Sequence, residues 1–269
     1  MNHLAIIGGT GVYSPDMLTD ARELQISTPY GNMTCVLGLY GEKKVVFMTR
    51  HGKNHSIPPH QINYRANIYG LKKLGVKAIV ATTAVGSLNL RMQPGEMVLC
   101  NQFLDFTKSR QHTFYDRAPL PVAHVDMTEP YCPVLRKLIQ REANKLGLKM
   151  HSQGTYVCTE GPRFESAAEI RMFAQMGGDV VGMTNVPECP LAREAEIAYA
   201  TISMVTNFGA GISPDILTHQ EVVEAMQNNA DNFRRLVEAI IESFDPDMDS
   251  PAFHAMSEYG GFQVESETN

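Results

Sequence analysis

The chain has 269 residues, 43% hydrophobic and 19% charged, enough for one large α/β domain with a sizeable core and too apolar for general disorder. Its formal net charge of -6 leaves no basic field to gather phosphate polymers, and without a run of Lys and Arg nucleic acid is not an expected partner. No stretch approaches the roughly 18 consecutive apolar residues of a membrane helix, the start lacks a basic then apolar leader, and five dispersed cysteines without a Cys-x-x-Cys pair suit reduced thiols, so a cytoplasmic protein with no membrane partner is expected.

In chain order, residues 4–7 are a short β-rich apolar run that leads into Gly8-Gly9-Thr10-Gly11. Such a turn at the carboxyl end of a strand lets backbone N–H groups and the Thr10 hydroxyl approach an anion. A tight turn without a ligand accounts for the same residues. The dinucleotide fingerprint is not met, because Gly9-x-Gly11-x-x lands on Ser14 and Pro15 interrupts any helix, and no phosphate-loop pattern occurs. Residues 45–48 read as a strand followed by Arg50-His51-Gly52, where an arginine fork beside an imidazole makes a receptor for a phosphate dianion or, more plainly, a surface pair. His51, His55 and His60 lack acidic or Cys partners, and Pro58-Pro59 breaks a helical ligand face, so no metal is expected.

Residues 62–74 read as a helix and 78–81 as a strand that ends in Thr82-Thr83-Ala84-Val85-Gly86-Ser87, a run of hydroxyls and small side chains. A strand at 97–100 and a helix at 133–146 follow. The capping-box pattern Ser166-x-x-Glu169 opens a helix over 166–176 with Glu165 at its entrance. Strands at 180–183, ending on Met183-Thr184, and at 202–205 precede a last helix over 219–241. That helix is opened by Thr218-x-x-Glu221 with His219 at its entrance, and Val222, Met226, Phe233, Val237 and Ile240 form its apolar stripe. Alternation of this kind predicts a mostly parallel sheet flanked by helices. From Asp245 the sequence turns polar, so the domain is expected over 1–244 and a mobile or loosely docked tail over 245–269, with Phe253, Tyr259 and Phe262 as anchors.

Taken in order, several runs resemble the methylthioadenosine phosphorylase and purine nucleoside phosphorylase family over about residues 4–242. They are Gly8 to Gly11, Arg50-His-Gly-x-x-His-Ser-Ile-Pro-Pro-His-Gln-Ile-Asn-Tyr-Arg-Ala-Asn67, Thr82 to Ser87, Glu160-Gly-Pro-Arg-Phe-Glu165, Gly182-Met-Thr-Asn-Val-Pro-Glu188 and Thr206-Asn207. The resemblance implies a single α/β domain around a twisted mixed β-sheet flanked by helices, a homotrimer with active sites near subunit contacts, phosphate as co-substrate and no metal or organic cofactor. It assigns the phosphate to Thr10, Arg50, His51, Thr83, Ala84 and Thr184. It sets Phe164, Glu165, Met183, Asn207, Phe208 and Gly209 about the nucleoside, with His219 at the sugar 5' end and His124 lent to the neighbouring subunit's pocket. Outside that frame Phe164 and Met183 read as core, His124, Glu165 and His219 as surface, and Asn207 with Gly209 as a turn.

The purine-facing positions separate members of the family. An ionised Glu165 accepts the N1–H that a 6-oxopurine has and adenine lacks, while Asn207 offers a donor and an acceptor to O6 and N7. Members acting on 6-aminopurines resemble this region but carry acids at the positions of Asn207 and Gly209 and a small residue at that of Glu165. A histidine such as His219 at a helix N-terminus stays neutral and suits a 5'-hydroxyl, where methylthio-specific members are apolar. The resemblance therefore implies phosphorolysis of inosine and guanosine to free base and ribose 1-phosphate in purine salvage, with Asn207, Glu165 and His51 as catalytic residues. The competing expectations are a methylthioinosine or methylthioadenosine phosphorylase and, from Gly8 to Gly11 alone, a non-catalytic nucleotide-binding module.

Overall fold

The computed structural model describes residues 3–8, 17–52, 56–116, 120–213, 223–225, 227 and 229–264. The long β5 (Val76–Ser87) is the axis of the molecule. Along one edge β1 (His3–Gly8) pairs with it in parallel, and β4 (Lys43–Thr49) lies parallel beyond β1. The hairpin of β2 (Thr19–Thr28) and β3 (Gly31–Tyr40) then extends the sheet antiparallel to β4. On the other edge β5 pairs in parallel with β11 (Ala198–Phe208), which carries β6 (Met97–Leu99) and, beyond it, β8 (Met150–His151).

A fork in this sheet positions the site. Strand β1 accompanies β5 as far as Ala81. Further along the same edge β10 (Val180–Gly182) pairs antiparallel with Gly86 and Ser87, and β9 (Thr155–Thr159) and β7 (Gln102–Phe106) follow in parallel. Two strands thus run toward each other along one edge of β5 and stop short. Among the described residues, the edge between Ala81 and Gly86 has no strand partner. Ligands bind open α/β sheets outside the carboxyl ends of the strands, and here the carboxyl ends of β1 and β10 face one another across the gap.

The central strands are buried on both faces, which is why they read as continuous apolar runs rather than alternations. Ala5, Ile7, Val46, Met48, Ile79 and Tyr199 face one core. It is closed by α1 (Tyr64–Lys73), capped by Asn63, and by α4 (Asn185–Glu194). Leu4, Ile6, Val45, Phe47, Val80, Ile202 and Met204 face the other, closed by α2 (Pro133–Lys145) and α5 (Ala230–Ser243). A smaller core of Leu88, Val157, Ile170, Phe173 and Val181 seats α3 (Ala167–Gln175).

The expected strands and helices are present, with corrections in extent. The run Thr82 to Ser87 lies inside β5 rather than after it, because β11 continues to pair alongside. The strand expected at 202–205 is the middle of an eleven-residue strand, and β10 ends at Gly182, before Met183. The hairpin β2–β3 and strands β7, β8 and β9 have no counterpart in the expectation. Strand β2 is mostly exposed, so apolar clustering cannot reveal it. The last helix was expected as one piece over 219–241. In the structure α5 starts after Asn229, whose ψ of 1° opens a new helix, and it runs on to Ser243. Of the expected stripe Phe233, Val237 and Ile240 are buried as read, joined by Leu236 and Ile241, while Val222, Met226 and the capping pattern from Thr218 lie outside the described residues.

The expectation of a loosely docked tail meets a segment that packs on the domain through residue 264. Met256 and Ala252 are buried, and Phe262 lies with its ring 5.0 Å from that of Phe114 and 5.8 Å from that of Tyr69. The Glu196 carboxylate accepts the backbone N–H of both Met256 and Phe262. Phe253 stacks under the Lys77 ammonium, and the Tyr259 hydroxyl accepts the His124 backbone N–H at 2.9 Å. Few apolar side chains suffice here because a fixed carboxylate satisfies the backbone between them. All five cysteines are unpaired and buried. Among the described residues no helix is long and apolar enough to cross a membrane.

Candidate active site

Strands β1 and β4 end level with one another, Gly8 opposite Thr49, so Arg50 and His51 leave the sheet beside the fork in β5. The Arg50 side chain is fully buried, and the α4 residue Glu188 meets it bidentately, with Nε to Oε2 at 2.9 Å and Nη2 to Oε1 at 2.7 Å. Nη1 donates to the Thr82 carbonyl at 2.8 Å. Burial opposes the charge on Arg50, but the Glu188 carboxylate overcomes it and holds the guanidinium cationic, its pKa raised above the ordinary value. The N–H groups of the fork not taken up by these bonds remain for an anion.

Glu188 is itself held by Tyr199 of β11, whose hydroxyl lies 2.8 Å from Oε1 and 2.9 Å from Asn185 Oδ1. Thr201 Oγ1 lies 2.9 Å from Asn185 Oδ1 and 3.0 Å from the Tyr199 hydroxyl. His51 is held against Ile57: Nδ1 lies 2.8 Å from the Ile57 carbonyl, and the Ile57 N–H donates to the His51 carbonyl. A carbonyl facing Nδ1 sets the proton on that nitrogen in a neutral ring. On β5 Thr83 is buried with its hydroxyl 2.9 Å from Ser203, whereas Ala84, on the opposite face of the strand, is exposed within a mostly buried run.

Thr184 follows β10, which runs back along β5 toward Thr83. Gly182 is required there, since a Cβ would lie 2.1 Å from the Tyr156 hydroxyl, and that hydroxyl accepts the Thr184 backbone N–H. The Thr184 side chain is buried and does not cap α4. Arg50 is thus bonded to β5 at Thr82, Thr83 and Ala84 follow on the same strand, and His51 and Thr184 come just after the ends of β4 and β10. Thr10 and His219 lie outside the described residues.

At the other end of the fork, Glu165 stands just before the Ser166 cap of α3, where the capping box with Glu169 is complete and Arg163 pairs with Glu169. Its Oε1 accepts the Thr159 hydroxyl at 2.6 Å, and Thr159 also reaches the Gly182 carbonyl, which ties Glu165 to the end of β10. Burial raises the Glu165 pKa, against the lowering effect of the Thr159 hydrogen bond.

Asn207 sits after a bulge at Thr206, where the β11–β5 register slips between Val205 and Asn207. A bulge re-aims a side chain. Here it turns the Asn207 amide over Gly86, where a Cβ would be 3.1 Å from Nδ2. Thr206 Oγ1 lies 2.7 Å from Asn207 Oδ1, and Nδ2 donates to the carbonyl of the half-buried Phe208 at 2.8 Å. Each end of the amide keeps a second valence for a ligand. At Gly209 a Cβ would sit 3.0 Å from Ile170 Cδ1 and 3.3 Å from Leu88 Cδ2, so a longer side chain there would have to displace these two.

Met183 is half-buried beside Gly161, and Phe164 is 40% exposed next to Glu165, more open than a core reading allows. His124 is exposed on the irregular segment 120–129, apart from the fork. The residues that reading by position missed are the supports: Glu188, Tyr199, Asn185, Thr159 and Arg110, whose guanidinium donates to the Thr159, Glu160 and Val186 carbonyls. The signal for some was present, since Tyr199, Thr201 and Ser203 are hydroxyls at period two in an apolar strand. Among the described residues no three His, Cys, Asp or Glu side chains group as a metal site, and His55 lies outside them.

A cationic fork beside an imidazole and strand-edge hydroxyls can hold an oxyanion, with a carboxylate and an amide across from it to grip a planar polar ring. A protein of Dictyoglomus turgidum named probable 6-oxopurine nucleoside phosphorylase is 52% identical over 256 residues, 95% of this chain and 97% of that one. The 6-oxopurine nucleoside phosphorylase of Pyrococcus furiosus is 54% identical over 246 residues, 90% of this chain and 92% of that one. Among solved structures, a methylthioadenosine phosphorylase from an antarctic soil metagenomic library superposes with a TM-score of 0.89 at 40% identity, covering 95% of this chain and 91% of its own. The sequence profile of the phosphorylase superfamily matches residues 3–242, and the chain belongs to that family.

Proposed function

We propose that the protein cleaves 6-oxopurine nucleosides by phosphorolysis, giving free base and ribose 1-phosphate for purine salvage. One observation carries the choice of purine. The ring-gripping end offers one carboxylate, Glu165, and one amide, Asn207, and two residues beyond the amide stands Gly209, which supplies no second acid. A carboxylate is an acceptor for N1–H, and an amide donates to O6 or N7 as electrons reach the base. The names of the two relatives support the same substrate class.

In this reading phosphate lies against Arg50, His51, Thr83, Ala84, Thr184 and Thr10, and attacks C1' as the C1'–N9 bond lengthens. The bonding pair departs with the purine, which Asn207 and Glu165 stabilise. Positioning and leaving-group stabilisation supply the catalysis, so the reaction calls for phosphate as co-substrate and for neither metal nor organic cofactor. Phe164, Met183 and Phe208 pack about the nucleoside, His219 meets the sugar 5'-hydroxyl, and His124 serves a neighbouring pocket in a homotrimer. Five unpaired buried thiols suit a reducing compartment such as the cytoplasm.

Initial rates on inosine, guanosine, methylthioinosine and methylthioadenosine, each with and without phosphate, test the reading. Phosphate-dependent release of hypoxanthine and guanine should exceed release from both methylthio-nucleosides by at least about tenfold, the loss expected where a hydrogen-bonding histidine faces a methylthio group. Faster cleavage of a methylthio-nucleoside would favour the activity named for the solved relative, and nucleotide binding without turnover would favour a non-catalytic module.

A further inference from the structure

Ser203 stands apart from the other two hydroxyls of its stripe. Tyr199 and Thr201 serve Asn185 and Glu188, whereas Ser203 Oγ lies 2.9 Å from Thr83 Oγ1 on one side and 3.3 Å from Cys100 Sγ on the other. All three residues are buried, Ser203 and Cys100 completely. These are the side-chain hydrogen bonds the three groups make among the described residues.

The direction of the chain follows from counting hydrogens. Each group owns one, so three hydrogens serve two links and one points out of the chain. A thiol sulfur is a poor acceptor beside a hydroxyl oxygen, so the Ser203 O–H is better spent on Thr83 than on Cys100. The Cys100 S–H then fills the Ser203 oxygen. Burial raises the Cys100 pKa to about 12, so the thiol keeps its hydrogen near neutral pH. The hydrogen left over is that of Thr83, which belongs to the stretch of β5 between Ala81 and Gly86 that β11 pairs on one edge only, among the described residues.

We propose that Ser203 and Cys100 are positioning residues for the anion: their hydrogen-bond chain holds the Thr83 hydroxyl as a donor directed at phosphate. The inference rests on the reading of Thr83 as a phosphate ligand and adds to it the two buried groups that fix its polarity.

The test is steady-state kinetics of the full-length enzyme with inosine and inorganic phosphate, joined to calorimetric titration with phosphate alone. Ser203→Ala should raise KM for phosphate and weaken phosphate binding about three- to tenfold, the value of one oriented hydrogen bond. KM for inosine and kcat at saturating phosphate should stay within about twofold, because neither depends on this bond once the anion is bound. Cys100→Ala should move phosphate binding in the same direction, and Cys100→Ser, which restores a donor, should bring it back. This pair decides the matter if Ser203→Ala does not fold. Unchanged phosphate binding in both alanine variants, or equal losses in kcat and both KM values, overturns the inference. A wild-type protein that neither binds phosphate nor releases base overturns the proposed function and this inference together. Wild-type turnover with unaffected variants overturns the inference alone.

Discussion

Glu165 shows how a single side chain couples local environment to activity. Its carboxylate is withdrawn from water at the entrance of α3, and one hydroxyl, that of Thr159, is its hydrogen-bond partner among the described side chains. Burial therefore raises its pKa above the usual carboxylate range of roughly 4.3. With a raised folded pKa, the stability contribution is present below the unfolded value and is lost as pH rises through the folded one. Activity runs the opposite way, because the ionised form is the acceptor. As pH falls through the raised pKa, kcat/KM for inosine should decline on an acid limb displaced upward from an ordinary glutamate. Glu165→Gln should abolish that limb and lower kcat/KM about ten- to a hundredfold, the value of a charge-assisted hydrogen bond. A variant that keeps the same limb would show that another group titrates there.

Between elements, the decisive connection is the pair Arg50–Glu188, which ties the end of β4 to α4 and, through Tyr199, to β11. A buried guanidinium that loses its carboxylate is left unpaired, at a cost of about 3–5 kcal/mol. Glu188→Gln should therefore lower stability by about that amount, and inorganic phosphate should recover part of it by supplying the missing negative charge. The check is thermal unfolding with and without phosphate. A larger phosphate-induced rise in Tm for the variant than for the wild type is expected, and an equal rise would place Arg50 away from the anion. This pair also marks the limit of what the sequence discloses. Arg50-His51 after a strand end is legible as an anion receptor from residue types alone, and the apolar runs of β1, β4, β5 and β11 are legible because both faces are buried. Glu188 is not, because its role depends on a contact across 138 positions of chain. The fork in β5 is equally hidden, since it arises from the antiparallel return of a three-residue strand. The exposed hairpin strand β2 carries no apolar clustering to read, and Asn229 divides what periodicity presents as one helix.

For the whole molecule, the segment 120–129 bears on assembly. It has neither helix nor strand, yet it shows Val122 at 75% and Leu120 at 46% exposure, large apolar side chains open among the described residues. The segment is braced from behind. The His124 backbone N–H is held by Tyr259, whose ring lies 6.5 Å from that of Tyr115, and the docked segment carrying Tyr259 is anchored by Phe262 and by the Glu196 carboxylate. A rigid support under exposed apolar groups favours association, because little further ordering is needed when a partner covers them. In the proposed homotrimer this surface is where His124 reaches a neighbouring pocket, so Val122→Glu would bury an unpaired charge at the contact. Sedimentation should show the variant dissociating at concentrations where the wild type stays assembled, and activity should fall on dilution and return at high protein concentration. The thermal unfolding of the dissociated chain need change little, since Val122 takes no part in its own core. A variant that remains fully assembled, or a dissociated one with undiminished activity, would mean that this surface does not complete the site.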